Sequence, residues 1–82
     1  MNRLFVDTSA WAALADSTDA NHELAVLFRD EAAGKYRLIT TNYILDELYT
    51  LLLINVRYLQ TVTFKRRIDF LTQQGTLQII TE

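Results

Sequence analysis

Hydrophobic residues along this chain fall into short solid runs and longer periodic stretches, and the two alternate. Leu4-Phe5-Val6 is a solid run, too short for a helix and rich in strand formers, and it reads as a buried strand. Asp7 follows it. Thr8 and Ser9 come next as good helix N-caps, before the helix-forming run Ala10-Trp11-Ala12-Ala13-Leu14-Ala15. Asp16 to Ala20 is polar and turn-like. Asp19 can cap a second helix from about Asn21 to Ala33, with Leu24, Leu27, Phe28 and Ala32 as its inward stripe and Gly34 as its stop. Tyr36-Arg37-Leu38-Ile39 reads as a second strand. Thr40 or Thr41 then caps a third helix running to about Ile54, whose inward stripe is Ile44, Leu45, Leu48, Leu51 and Leu52. Asn55 to Tyr58 either extends that helix or turns. A fourth helix spans roughly Gln60 to Gln73, with Phe64, Ile68 and Leu71 inward and Gly75 as its stop. Thr76 to Ile80 is a third strand. Strands separated by helical pairs imply crossovers, hence a parallel sheet with helices packed on it.

This pattern puts two acids in informative places. Asp7 sits at the carboxyl end of a strand, just before a helix, and in an open parallel sheet that rim is where ligands bind. An Asp between strand and helix can also simply turn the chain and cap the helix. Ser9 or Thr8 is available for capping, which leaves Asp7 for a site. Glu47 lies on the border of the third helix's apolar stripe, beside Leu51, and leans over the rim, whereas Asp46 points away to solvent. Position alone also fits Glu47 as an ordinary boundary carboxylate on an amphipathic helix.

Composition narrows the chemistry. The 82 residues suffice for one small domain, and a chain of this size hides only about 60% of its unfolded surface. Half of the residues are hydrophobic, which favours a partner that covers more. The run Leu51-Leu52-Leu53-Ile54 must leave one face uncovered and points the same way. The absence of Cys excludes disulfides and thiolate metal sites, and a single His excludes a multi-His metal site. That residue, His22, reads as a solvated position at a helix start. A net charge of −2 means that no broad basic field draws in nucleic acid, so any such binding is local. Lys65-Arg66-Arg67, with Arg57 nearby, is the one basic cluster; it reads as a solvated helix face or as phosphate contacts. Trp11 and the tyrosines are not grouped and suit core and rim packing better than base stacking. No apolar run approaches the roughly 20 residues of a membrane span, and the expected location is cytoplasmic.

Two segments resemble a known family. Leu4-Phe5-Val6-Asp7-Thr8-Ser9-Ala10, followed by Leu38-Ile39-Thr40-Thr41-Asn42-Tyr43-Ile44-Leu45-Asp46-Glu47-Leu48, is similar to the amino-terminal half of a PIN domain, and looks most like the VapC toxin ribonucleases. The resemblance extends over the whole chain. It implies a truncated PIN-like α/β fold in three layers, a parallel three-stranded sheet flanked by about four helices, with residues 1–82 forming a single domain incomplete at its carboxyl terminus. It also implies metal-dependent RNA cleavage. Asp7 matches the first of the acids that hold Mg²⁺ or Mn²⁺, Glu47 matches the second, and Thr8 and Ser9 line the site. Hard cations of this kind take oxygen ligands, keep several waters and need only one or two carboxylates plus substrate phosphate.

The family's later acids have no counterpart here: Asp69 lies on the fourth helix and Glu82 follows the third strand. With only this half, the first strand becomes an open edge, which invites pairing with another chain. The expected partners are therefore RNA, an antitoxin, and either a second copy or a complementing half. Dimerisation could also bring two Asp7 and two Glu47 together. The alternative to a nuclease is a catalytically inactive PIN fragment acting as a self-associating or antitoxin-binding module. A phosphatase with Asp7 as nucleophile fits less well, because such enzymes want an Asp two residues on, where Ser9 stands.

Overall fold

In the computed structural model, which describes residues Asn2–Glu82, the three solid apolar runs are strands and the periodic stretches are helices. The strands are β1 (Asn2–Phe5), β2 (Tyr36–Thr41) and β3 (Leu77–Ile80). All pair in parallel, in the order β1-β2-β3, so β2 is central and β1 is an edge. The helices are α1 (Thr8–Ala15), α2 (His22–Ala32), α3 (Asn42–Asn55) and α4 (Tyr58–Gln73). The α/β class, the parallel three-stranded sheet and the four helices are those expected from the sequence. In the segment 55–58, Asn55 ends α3 with Val56 as its C-cap, and after Arg57 a new helix starts at Tyr58. Gly34 and Gly75 adopt φ of +77° and +78°, the left-handed conformation that lets the chain leave α2 and α4 and turn into a strand.

Strand alternation decides where the core sits. The register sets Leu4 beside Leu38 and Leu38 beside Leu77, so these three share one face of the sheet. On that face Val6, Leu38, Leu77 and Ile79 pack against Trp11 of α1, Leu45, Leu48 and Leu52 of α3, and Ile68 of α4. Phe5 and Ile80 belong to the opposite face and are exposed. The molecule is only 18 Å across its shortest axis. That accommodates a sheet and one helical layer, whose axes pack about 8–10 Å apart between helices. The helices that build this core, α1, α3 and α4, pack on that one face of the sheet.

A buried polar chain runs through this core. The Trp11 indole Nε1–H donates to the Thr40 hydroxyl at 3.2 Å, and that hydroxyl donates to the Val6 carbonyl at 3.0 Å. Trp11 also meets Phe64 edge to face, with centroids 6.1 Å apart. Its role is core packing, as expected.

Three sequence expectations are corrected. Leu24, Leu27 and Phe28 do not form an inward stripe: they are exposed, and Ala32 alone of the four is buried. The reason is that α2 rests on α1 and overhangs the β1 edge, so its larger apolar side chains border an open groove rather than a core. Leu51 lies at the margin of the α3 stripe and is exposed, as are Leu53 and Ile54. His22 is not a free surface group: it is partly buried, and its Nδ1 lies 2.7 Å from the Ala13 carbonyl, tying the start of α2 to α1. Among the described residues no helix is long and apolar enough to cross a membrane.

Two outcomes follow from this packing. Thr40→Val keeps the side-chain shape but leaves the Trp11 N–H without an acceptor, and should cost about 1–3 kcal/mol in urea unfolding at unchanged slope. Burial, reinforced by Asp69 and then Asp46, pushes the Tyr49 phenol up to about 12 from its ordinary 10.0. Its contribution to stability is therefore complete below pH 10 and lost as the pH rises toward 12, since the unfolded chain ionises first. Phenolate absorbance should show one tyrosine titrating only near pH 12, together with a falling unfolding midpoint across that window.

Candidate functional site

The carboxyl ends of the three strands define one rim. At β1, Val6 stays in the sheet by donating its N–H to the Ile39 carbonyl at 2.8 Å, and its side chain is buried. The next residue, Asp7, is extended (φ −90°, ψ 176°) and exposed. The core thus holds one residue of the pair while the other stands in solvent. At β2, buried Thr40 and Thr41 end the strand, and Thr41 caps α3 by accepting the Ile44 N–H at 3.1 Å. At β3, the chain continues to Glu82, whose backbone N–H donates to Asn42 Oδ1 at 2.8 Å. Asn42 is the first residue of α3, so this bond fastens the end of the third strand segment to the rim between β2 and α3.

Asp7 is the N-cap of α1. Its Oδ1 accepts the Ala10 N–H at 3.0 Å and the Ser9 hydroxyl at 3.0 Å. This corrects the expectation that Thr8 or Ser9 would cap. Thr8 is the first helical residue, and Ser9 serves the cap as a donor. The geometric reason is that Asp7 is the last residue in extended backbone, and a carboxylate there reaches the N–H three residues on. Capping does not use up the carboxylate: both bonds fall on Oδ1 and neither engages Oδ2.

Glu47 lies on the second turn of α3, one residue before buried Leu48, and is exposed. It stands five positions after Asn42, about 8 Å along the helix from the rim. Asp46 is exposed too, and its charge is felt by Tyr49. Asp7 and Ser9 border the open groove of about 870 Å³ between β1, α1 and α2, and Glu47 is not among the residues lining it. No group of three or more His, Cys, Asp or Glu is gathered in a metal-holding arrangement among the described residues. On α4, Arg57 stands at the N-cap position, where its backbone N–H donates to Gln60 Oε1 at 3.1 Å. Lys65 pairs with Asp69 at 3.2 Å, and Arg66 and Arg67 are exposed. None of these four basic residues lines the groove that Asp7 borders.

Two residues of the rim escape a reading of the sequence by charge. Thr40 joins β1, β2 and α1 through its hydroxyl, and Asn42 holds the backbone of Glu82. The available signal was their place in Thr40-Thr41-Asn42, a polar triplet at a strand-to-helix junction, where such side chains bind backbone groups.

Comparison with known proteins finds a likeness among solved structures. No family model matches the chain, and no curated protein does. Among solved structures, VapC20 of Mycobacterium tuberculosis, a toxin that cleaves the sarcin–ricin loop, superposes with a TM-score of 0.72 at 28% identity. The match covers 94% of this chain and 55% of that one, so the chain spans about half the length of the toxin it resembles. The three-stranded parallel sheet with its four helices is thus a PIN-like α/β fold, similar to that of a VapC toxin.

Proposed function

We propose that this chain acts as a divalent-metal-dependent endoribonuclease of the VapC type, with Asp7 and Glu47 as the acids of its metal site. The observation that carries the reading is the exposed Asp7 at the end of β1, on a fold similar to that of an RNA-cleaving toxin. The donor set suits the metal. Both acids are hard oxygen ligands in reach of water, and Mg²⁺ or Mn²⁺ is commonly held by one or two carboxylates plus substrate phosphate. When bound, such a cation acidifies a water and offsets charge on the phosphate undergoing displacement.

The chain's own residues prepare the site. The Ser9 hydroxyl and the Ala10 N–H, both on Oδ1, fix the Asp7 carboxylate in one orientation. Partners of this kind keep a ligand's free oxygen aimed and raise its value to a metal. The Thr40 hydroxyl anchors Val6, one residue before Asp7, and Thr41 starts the helix that carries Glu47. Substrate is RNA in this reading, with Arg57, Lys65, Arg66 and Arg67 as phosphate contacts outside the acidic rim. An antitoxin is the expected partner, and a complementing half domain would supply further acids.

A second reading is a non-catalytic PIN-like module that binds a partner. It is favoured by the apolar side chains that α2 leaves in solvent, Leu24, Leu27 and Phe28.

Asp7→Asn separates the two. Asn caps a helix as well as Asp, so the fold should be retained while the charge is lost. Fluorogenic RNA cleavage in Mg²⁺ or Mn²⁺ should fall by about 10–100-fold or more, since altering even the outer partners of a metal site has effects of that size. Glu47→Gln should fall similarly, and Ser9→Ala by less. Equal activity in wild type and Asp7→Asn would remove the nuclease reading and leave the binding module.

A further inference from the structure

Trp11 carries two N–H groups, and they engage the two carbonyls that flank the backbone of Asp7. Its main-chain N–H donates to the Asp7 carbonyl at 3.2 Å. Its indole Nε1–H donates to the Thr40 hydroxyl at 3.2 Å, which donates in turn to the Val6 carbonyl at 3.0 Å. The Val6 carbonyl belongs to the peptide before Asp7 and the Asp7 carbonyl to the peptide after it. The circuit is therefore closed: it leaves the chain on one side of Asp7 and returns on the other.

Asp7 itself is exposed, whereas the side chains that hold it are not: Trp11 is 2% exposed and Thr40 0%. The indole also stands edge to face against Phe64, at 77°, in the close-packed core. A residue has two soft torsions, and bonds to the peptide planes on both sides fix them, here at φ −90° and ψ 176°. Those torsions set the direction in which the Asp7 side chain leaves the rim. Ser9 and Ala10 then set the carboxylate through Oδ1. Packing alone does not call for this arrangement. A phenylalanine at position 11 could meet Phe64 in the same way, but it has no ring N–H to donate.

We propose that Trp11 and Thr40 are positioning residues for the Asp7 carboxylate, and that the position they set gives Asp7 its grip on a divalent cation. The use of that grip rests on the nuclease reading above, whereas the positioning is a property of the fold. The side chains of the circuit are buried and lie between Val6 and Thr40, so nothing that covers the outer faces of the molecule alters it. Groups that stand behind a metal ligand contribute about 10–100-fold to metal affinity. A site whose support is missing sits about 1 Å too loose.

Manganese binding and amide exchange test the proposal on the chain without RNA. Mn²⁺ affinity, read from the paramagnetic resonance of the free ion, should fall about tenfold in Thr40→Val and in Trp11→Phe. It should return to near the wild-type value in Thr40→Ser, which keeps the hydroxyl. With no metal present, the Ala10 amide rests on Asp7 Oδ1. In the first two variants it should exchange about tenfold faster relative to the amide of Leu14, deeper in the same helix. A role in packing alone would speed Leu14 at least as much, because it lowers the stability of the whole domain. Circular dichroism checks each fold, and Trp11→Phe carries the comparison if Thr40→Val does not fold. Wild-type Mn²⁺ affinity and Ala10 exchange in the folded variants overturn the proposal. So does a Thr40→Ser that binds no better than Thr40→Val. An Asp7→Asn variant that binds Mn²⁺ as wild type does would defeat the nuclease reading instead, and the metal-free Ala10 comparison then decides the positioning by itself.

Discussion

Everything at the rim depends on one buried hydroxyl. Thr40 accepts from the Trp11 indole and donates to the Val6 carbonyl, so a single oxygen ties β1, β2 and α1 together. A buried polar group is costly unless paired, and here all three participants satisfy one another. Side-chain nitrogens and oxygens are without a partner nowhere in the described interior. The consequence is positional. Val6 immediately precedes Asp7, Thr40 immediately precedes the cap of α3, and Trp11 lies one turn into α1. The hydroxyl thereby sets the distance between the residue that offers a carboxylate and the helix that carries Glu47.

Asp7 illustrates how one side chain serves two ends. As an N-cap it accepts the Ala10 N–H and stabilises α1, a helix only eight residues long that has little propensity to spare. As an exposed anion at the positive end of that helix it is available to a cation. The two demands do not collide, because capping engages one carboxylate oxygen and leaves the other. A hydroxyl-bearing residue at position 7 could cap but could not bind a cation strongly. An acid without capping geometry could bind a cation but would leave the helix start open.

Much of the fold was legible from the chain. The solid runs at Leu4, Leu38 and Leu77 are strands, and the stripe of Leu45, Leu48 and Leu52 faces the core, because both patterns reflect burial in this chain alone. The α2 stripe was not readable in that way. Leu24, Leu27 and Phe28 have the spacing of a core face, yet this fold gives them nothing to rest on. Periodicity reports which side is apolar, and it cannot report what covers that side. Rank among candidate caps was misread at Asp7 for a local reason: capping is decided by which residue is last in extended backbone, and the sequence shows three suitable side chains in a row. Placing Asp7 at the end of a strand was possible from topology. The role of Thr40 was not, because a Thr in a strand ordinarily signals only branching.

The order of the strands carries a kinetic meaning. Leu4 and Leu38 pair across 34 residues, and Leu38 and Leu77 across 39, so the sheet is assembled from two loops of nearly equal length with no strand inserted out of turn. Loop-closure entropy grows only slowly with length, so neither step is much harder than the other. Each can be completed as soon as its own segment is available. A nascent chain emerging from the ribosome could therefore zip its sheet from the first strand outward, adding one β–α–α unit at a time, without waiting for its last residues to appear.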